Sequence, residues 1–187
     1  MNEENIRSFV SLALPNEVKN AVRDRLISLK PLFPGLKWVN ENNLHLTVKF
    51  CGEQPAVLIR TFEDSISSVF MEKKPEKMRL TLGELGAFPS LQCIRTLFIR
   101  VNGEVEKLGL LASIIEKTAR ESGIPAEERR FHPHITLARA RNPEKIPLSS
   151  IGRFLEAEWT ADAVYLMKSV LKPHGPEYSL IRKWILQ

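Results

Sequence analysis

The pattern His-x-Thr occurs twice in this chain, each time inside a run that reads as a β-strand: Leu44-His45-Leu46-Thr47-Val48-Lys49-Phe50 and Phe131-His132-Pro133-His134-Ile135-Thr136-Leu137. By the two-residue period of a strand, Leu44, Leu46, Val48 and Phe50 share one face of the first, and His45, Thr47 and Lys49 share the other. In the second, Ile135 and Leu137 face one way while His134 and Thr136 face the opposite way. The apolar face suffices to bury each strand, which leaves the polar face for another task. The chain has four His and seven Thr among its 187 residues, so two such pairs by chance would be a roughly 1% event. A single strand His beside Thr is usually a hydrogen-bonded surface residue, but two of them point to a shared site.

A chain of this length, 43% hydrophobic and 26% charged, falls in the range of one compact domain, and residues 1–187 read as a single two-lobed unit. Glu3 and Glu4 stand where a secretory signal would be basic, and the apolar run Phe9 to Leu14 is short and closed by Pro15. No membrane span is expected, and the cytoplasm is the expected location. Cys51 and Cys93 are too few and too far apart for a disulfide framework or a zinc knuckle. The net charge of +5 and pI near 9.3 bias the surface toward polyanions. Arg129, Arg130, Arg139 and Arg141 bracket the second His strand, and Lys49 lies on the polar face of the first.

The periodicity predicts a strand at Arg7 to Leu14, a helix from Pro15 to about Lys30, a short strand at Leu36 to Val39 and a turn at Asn40 to Asn43. The short strand and the first His strand, Leu44 to Cys51, are candidates for a hairpin. A second helix runs from Pro55 to about Met71. Strands follow near Met78 to Leu85 and Ile94 to Val101, separated by Gly86 to Leu91, and a third helix from about Glu104 to Ser122 stops at Gly123. The second His strand takes Phe131 to Arg139. Pro143 and Pro147 mark a loop before a short segment near Leu148 to Leu155, and strands at Ala163 to Leu171 and Tyr178 to Leu186 close the chain. This order lacks the strict alternation of a doubly wound sheet and predicts an α+β fold with antiparallel sheets, two helix-bearing lobes facing one another.

Paired imidazoles and hydroxyls suit the opening of a phosphodiester. Attack at phosphorus in line with the leaving oxygen requires one proton to leave the nucleophile and another to arrive on the opposite side. Imidazole titrates at about pH 6.5, so a neutral ring can act as base while a charged one acts as acid. Thr47 and Thr136 can donate hydrogen bonds to non-bridging oxygens. The scheme needs no metal and no cofactor.

The motifs His45-Leu46-Thr47-Val48 and His134-Ile135-Thr136-Leu137 resemble the signature of the two-histidine phosphoesterase superfamily. Arg7 to Leu12, Leu44 to Gly52 and Pro133 to Arg139 are similar to the RNA 2′,3′-cyclic phosphodiesterases, also called 2′-5′ RNA ligases. The resemblance implies a bilobal α+β fold of two antiparallel sheets flanked by helices, with pseudo-two-fold symmetry and a central groove. It implies opening of 2′,3′-cyclic phosphates to 2′-phosphomonoesters, with reversible 2′-5′ joining in some members. It implies that His45 donates a proton to the departing 3′ oxygen and His134 accepts one from water. Arg139 matches the family's arginine after the second motif, although ideal alternation puts it on the face opposite His134; it is assigned to substrate binding. The expected partner is RNA ending in a cyclic phosphate, with tRNA fragments and small cyclic nucleotides as further candidates, and the expected state is a monomer.

Other readings stay open. The same fold can act on another cyclic phosphate or a 2′-5′ oligonucleotide, and a basic groove can bind RNA without cutting it. His132 and His134 have a spacing that holds metals when further ligands converge, but no Asp, Glu or Cys at ligand spacing lies nearby, so no metal is assigned and His132 reads as a support for His134. Phe9, Phe131 and Trp38 are either base-stacking residues or core.

Overall fold

The computed structural model of the protein describes residues 4–145 and 157–187. In chain order the elements are β1 (Asn5–Ala13), α1 (Asn16–Leu29), β2 (Leu36–Trp38), β3 (His45–Pro55), α2 (Ala56–Lys73), β4 (Met78–Ser90), β5 (Cys93–Gly103), α3 (Val105–Glu121), β6 (His134–Glu144), β7 (Glu158–Ala161), β8 (Ala163–Lys172) and β9 (Gly175–Ile185). The fold is α+β and antiparallel, as the pattern predicts. The segment expected near Leu148 to Leu155 lies outside the described residues.

The helices form for the reasons legible in their spacing. Ile59, Phe62, Ile66 and Phe70 make the buried stripe of α2, and Leu108, Leu111, Ala112, Ile115 and Ala119 that of α3. Gly123 ends α3 with φ +87°, a conformation that costs a side-chain-bearing residue about 1–2 kcal/mol. Its N–H and that of Ile124 then reach back to the carbonyls of Arg120 and Ala119 at 3.0 and 2.9 Å.

Among the described residues the strands form one sheet in the order β7-β4-β5-β6-β3-β1-β8-β9, with β2 added on β6. The two expected antiparallel sheets are its halves, and they meet where β3 pairs with β6 through Leu46 opposite Ile135. Both residues are fully buried. Each His strand borders the strand that precedes a helix: β1 before α1 for β3, and β5 before α3 for β6. The expected hairpin of β2 with β3 does not form, because β2 pairs with β6 at Leu36–Ala140, Lys37–Arg139 and Trp38–Ala138. Strands β4 and β5 run on to Ser90 and from Cys93, so the separating loop is only a tight turn. Strand β6 starts three residues later than expected and carries Pro143, and the short β7 adds an edge to β4 that the sequence pattern did not reveal.

A β-bulge interrupts each His strand at the residue after the Thr. Ser11 pairs with Thr47 and Val10 with Lys49, leaving Val48 extra. Phe98 pairs with Thr136 and Leu97 with Ala138, leaving Leu137 extra. A bulge puts one extra residue on one strand and so reverses the alternation beyond it. Phe50 therefore leaves the core face and is 44% exposed, while Lys49 turns inward and is 3% exposed, the reverse of strict alternation. Arg139 is likewise returned to the face of His134, correcting the expectation that it lies opposite.

Leu46→Ala is expected to destabilise the protein by about 2–5 kcal/mol, as for other buried large-to-small changes, whereas Phe50→Ala should cost about 1 kcal/mol or less. Urea unfolding of the two variants checks this. Equal losses would place Phe50 in the core and remove the bulge.

Candidate active site

His45, Thr47, His134, Thr136 and Arg139 line one open groove in the middle of the sheet. The Leu46–Ile135 pair accounts for their arrangement. In antiparallel register about that pair, His45 stands beside Thr136 and Thr47 beside His134, so the two imidazoles occupy diagonal corners of a four-residue patch.

Each ring is held by the backbone two residues before it. His45 Nδ1 lies 2.7 Å from the Asn43 carbonyl, and His134 Nδ1 lies 2.6 Å from the His132 carbonyl. A carbonyl only accepts, so both rings carry their proton on Nδ1 and present Nε2 to the groove. His132 thus supports His134, through its main chain. The Asn43 side chain donates to the Pro176 carbonyl at 2.8 Å, which ties the residue that orients His45 to the start of β9. The Thr47 hydroxyl, expected to face a phosphate oxygen, is 2.9 Å from His45 Nε2. Thr47 donates to the neutral ring in the free protein and must turn to reach a ligand.

Aromatic rings complete the walls. Phe9 stacks on His45 with centroids 4.7 Å apart, and Tyr178 stands edge-on to His45 at 5.5 Å. Phe98 and Phe88 flank His134 at 5.1 and 5.4 Å. Tyr178 sits on β9, three strands from β3, where a flat sheet would hold the two rings ~14 Å apart. Both halves therefore curl over their imidazoles. Phe9 and Phe98 are buried, and sequence alone gave no sign that Tyr178, Phe88 or Phe98 belonged to the site. Phe131 and Trp38 are partly buried and pack against the core.

Burial is the main reason that both imidazoles are pushed below the ordinary value of 6.5. The backbone carbonyls oppose this. For His45 the positive charges of Lys19 and Arg139 and a charged His134 add to the depression, and for His134 Arg139 and His132 do so. The shift favours the neutral form of both rings. Arg139 reaches Thr96 at 3.3 Å and has no carboxylate partner among the described residues.

Lys49, which strict alternation puts beside His45, has another role. Its ammonium forms a 2.8 Å ion pair with Glu116 of α3 and donates to the Pro125 carbonyl at 2.8 Å. The Glu116 carboxylate also accepts the Glu127 N–H at 3.0 Å. A buried cation on β3 thereby fastens α3 and the segment leading to His134. Arg129, one of the bracketing arginines, is paired with Glu127 at 2.9 Å. Cys51 and Cys93 are free thiols, and burial pushes that of Cys51 up to about 11. Among the described residues no three His, Cys, Asp or Glu side chains converge on a common point, and no helix is long and apolar enough to cross a membrane.

A curled antiparallel sheet with two histidines at its centre defines a two-histidine phosphoesterase arrangement. Residues 14–172 match the family described as the 2′-5′ RNA ligase superfamily, and the chain belongs to that family. It is 32% identical over 187 residues to an RNA 2′,3′-cyclic phosphodiesterase of Thermus thermophilus, covering 97% of this chain and 91% of that one. A protein of the same name from Methanocaldococcus jannaschii is 29% identical over 187 residues, covering 96% of this chain and all of the other. Among solved structures, E. coli LigT complexed with 3′-AMP superposes with a TM-score of 0.81 at 25% identity, over 98% of this chain and 99% of that one.

Lys49→Met is expected to lower stability by about 1–3 kcal/mol, below the cost of breaking a fully buried pair because Glu116 can turn to water, and Glu116→Gln in the same chain should recover part of it. Urea unfolding measures both. Unchanged stability with a large rise in KM would instead make Lys49 a phosphate ligand.

Proposed function

We propose that this protein hydrolyses RNA 2′,3′-cyclic phosphate ends to 2′-phosphomonoesters, with His45 as general acid, His134 as general base, and Thr47, Thr136 and Arg139 as phosphate ligands. One observation carries the reading: two imidazoles, each with its Nδ1 proton fixed on a carbonyl, present Nε2 to one groove from opposite corners of the Leu46–Ile135 pair. The names of the related phosphodiesterases support the substrate class.

Water attacks phosphorus as His134 Nε2 takes its proton. The P–O3′ bond breaks on the far side, and the proton on His45 Nε2 passes to O3′. The products are a 2′-phosphate and a 3′ hydroxyl, and the two histidines end with their protonation states exchanged. His134 Nε2 has no hydrogen bond to a described residue, which suits it to receive a proton from water. Thr47 shields His45 Nε2 until ligand displaces it.

His45 must be charged to act as acid, yet in the free protein its pKa is depressed. A bound phosphodiester supplies the missing charge, since an anion beside an imidazolium favours the protonated form. The first proton is therefore taken up together with substrate, and the competent form is favoured at pH values below those at which both rings are neutral. Arg139 offsets phosphate charge as it shifts in the transition state. The steps use no metal, and with a 5′ hydroxyl in place of water as the nucleophile the same steps join RNA ends through a 2′-5′ bond. The reverse is attack of the 3′ hydroxyl on that bond to regenerate the cyclic phosphate. The two halves act as one unit, each supplying one imidazole.

The test is product analysis on a short RNA ending in a 2′,3′-cyclic phosphate, with EDTA present. Wild type should yield the 2′-phosphate, and His45→Ala and His134→Ala should each lose about 10²–10⁴-fold in kcat. Full activity in either variant, or dependence on added metal, would overturn the mechanism.

A further inference from the structure

In the half of the sheet that carries His134, the groove holds positive charge beyond the Arg139 assigned to the scissile phosphate. Lys37 on β2 is the direct cross-strand partner of Arg139 on β6, and Arg139 is in turn paired with Thr96 on β5. Paired residues of an antiparallel ladder lie on one face, so Lys37, Arg139 and Thr96 form a single row across three strands. Arg95, next to Thr96, lines the same groove as Lys37. All three cations are exposed, and none is ion-paired with a described carboxylate. Like charges directly opposite one another destabilise a sheet, so Lys37 facing Arg139 is an arrangement that an anion would relieve.

The contrast with the other half sharpens this. The positions that match Thr96 and Arg139 beside the first His strand are Phe9 and Phe50, by the same register about the two bulges. Arg7, a cation in that half, is paired in register with Glu53 and lies over the Phe50 ring at 4.7 Å. At these matched positions the first half thus carries two aromatic rings, and the second a hydroxyl and a cation with no recorded carboxylate partner among the described residues. Beneath the cationic row, Leu36, Leu97 and Ala138 are buried in a small apolar cluster of their own, with Trp38 packed against it, which fixes the three strands beneath the charges.

We propose that Lys37 and Arg95, beside Arg139, form a subsite for a second phosphate of the substrate, the internucleotide phosphate on the 5′ side of the cyclic end. This rests on the function proposed above and gives it a direction: the terminal phosphate lies between the imidazoles, and the preceding backbone runs over β6 toward β2 and β5. It makes the protein an oligonucleotide enzyme in preference to a mononucleotide one. The subsite holds backbone and reads no base, since its groups are cations suited to phosphate.

Lys37→Gln/Arg95→Gln, which leaves Arg139 in place, tests the subsite on two substrates: a 2′,3′-cyclic mononucleotide and a pentanucleotide ending in a 2′,3′-cyclic phosphate. Loss of charged contacts to one phosphate should lower kcat/KM on the pentanucleotide about tenfold and that on the mononucleotide less than about twofold. The slope of log kcat/KM against log salt should flatten by about 0.7 for the pentanucleotide alone. Equal losses on both substrates, or none on either, would overturn the subsite. Anisotropy of a labelled pentanucleotide ending in a 2′-phosphate gives a readout that needs no turnover. Variant-sensitive binding by a wild type that hydrolyses neither substrate would keep the subsite and remove the phosphodiesterase reading, whereas binding insensitive to the variant removes the subsite.

Discussion

The contact between Leu46 and Ile135 is where the two halves of the sheet are joined, and the site is built around it. Each of these residues sits between a His and a Thr, so pairing them brings all four polar side chains together on the opposite face without further instruction. Both are fully buried, and the core behind them is shared by all three helices. Apolar burial on one face thereby sets the separation of two imidazoles on the other. The bulges at Val48 and Leu137 then break the strand pattern at the same place in each half. In one half the reversal turns Lys49 inward to fasten α3; in the other it delivers Arg139 to the groove.

The electrostatics follow from the same geometry. Two imidazoles curled over by aromatic rings are partly withdrawn from water, and the nearest charges are cations. Neutral rings are the consequence, and with them a site that waits for negative charge. In the proposed mechanism a phosphate is both the ligand and the charge that favours the protonated imidazole. Fixing each Nδ1 on a carbonyl uses no side chain: His132 acts through its main chain, and Asn43 through its main chain and the side-chain hydrogen bond that ties it to Pro176.

The helices, the His strands and the antiparallel class were legible because apolar periodicity, Pro15, Pro55 and Gly123 state them locally. The two imidazoles were legible because they repeat. Arg139 was legible only through its resemblance to a family, since period-two reasoning put it on the wrong face: a bulge adds one residue and leaves no mark in composition. Lys49 was misread for the same reason. The pairing of β2 with β6 rather than β3 was hidden because a three-residue strand carries almost no information about its partner, and β7 is four residues long. Tyr178 and Phe88 reach the histidines only through the curl of the sheet, which depends on the whole fold and not on any stretch of it.

The dependence of two neutral imidazoles on a phosphate ligand is tested most directly by 15N NMR titration of His45 and His134, without ligand and with a bound 2′-nucleoside monophosphate. The expected result is that both rings hold the Nδ1–H tautomer and titrate below 6.5 when free, and that at least one moves upward when phosphate binds. Rings that titrate at the ordinary value in the free protein, or that ignore the ligand, would contradict a site in which both histidines face one phosphate.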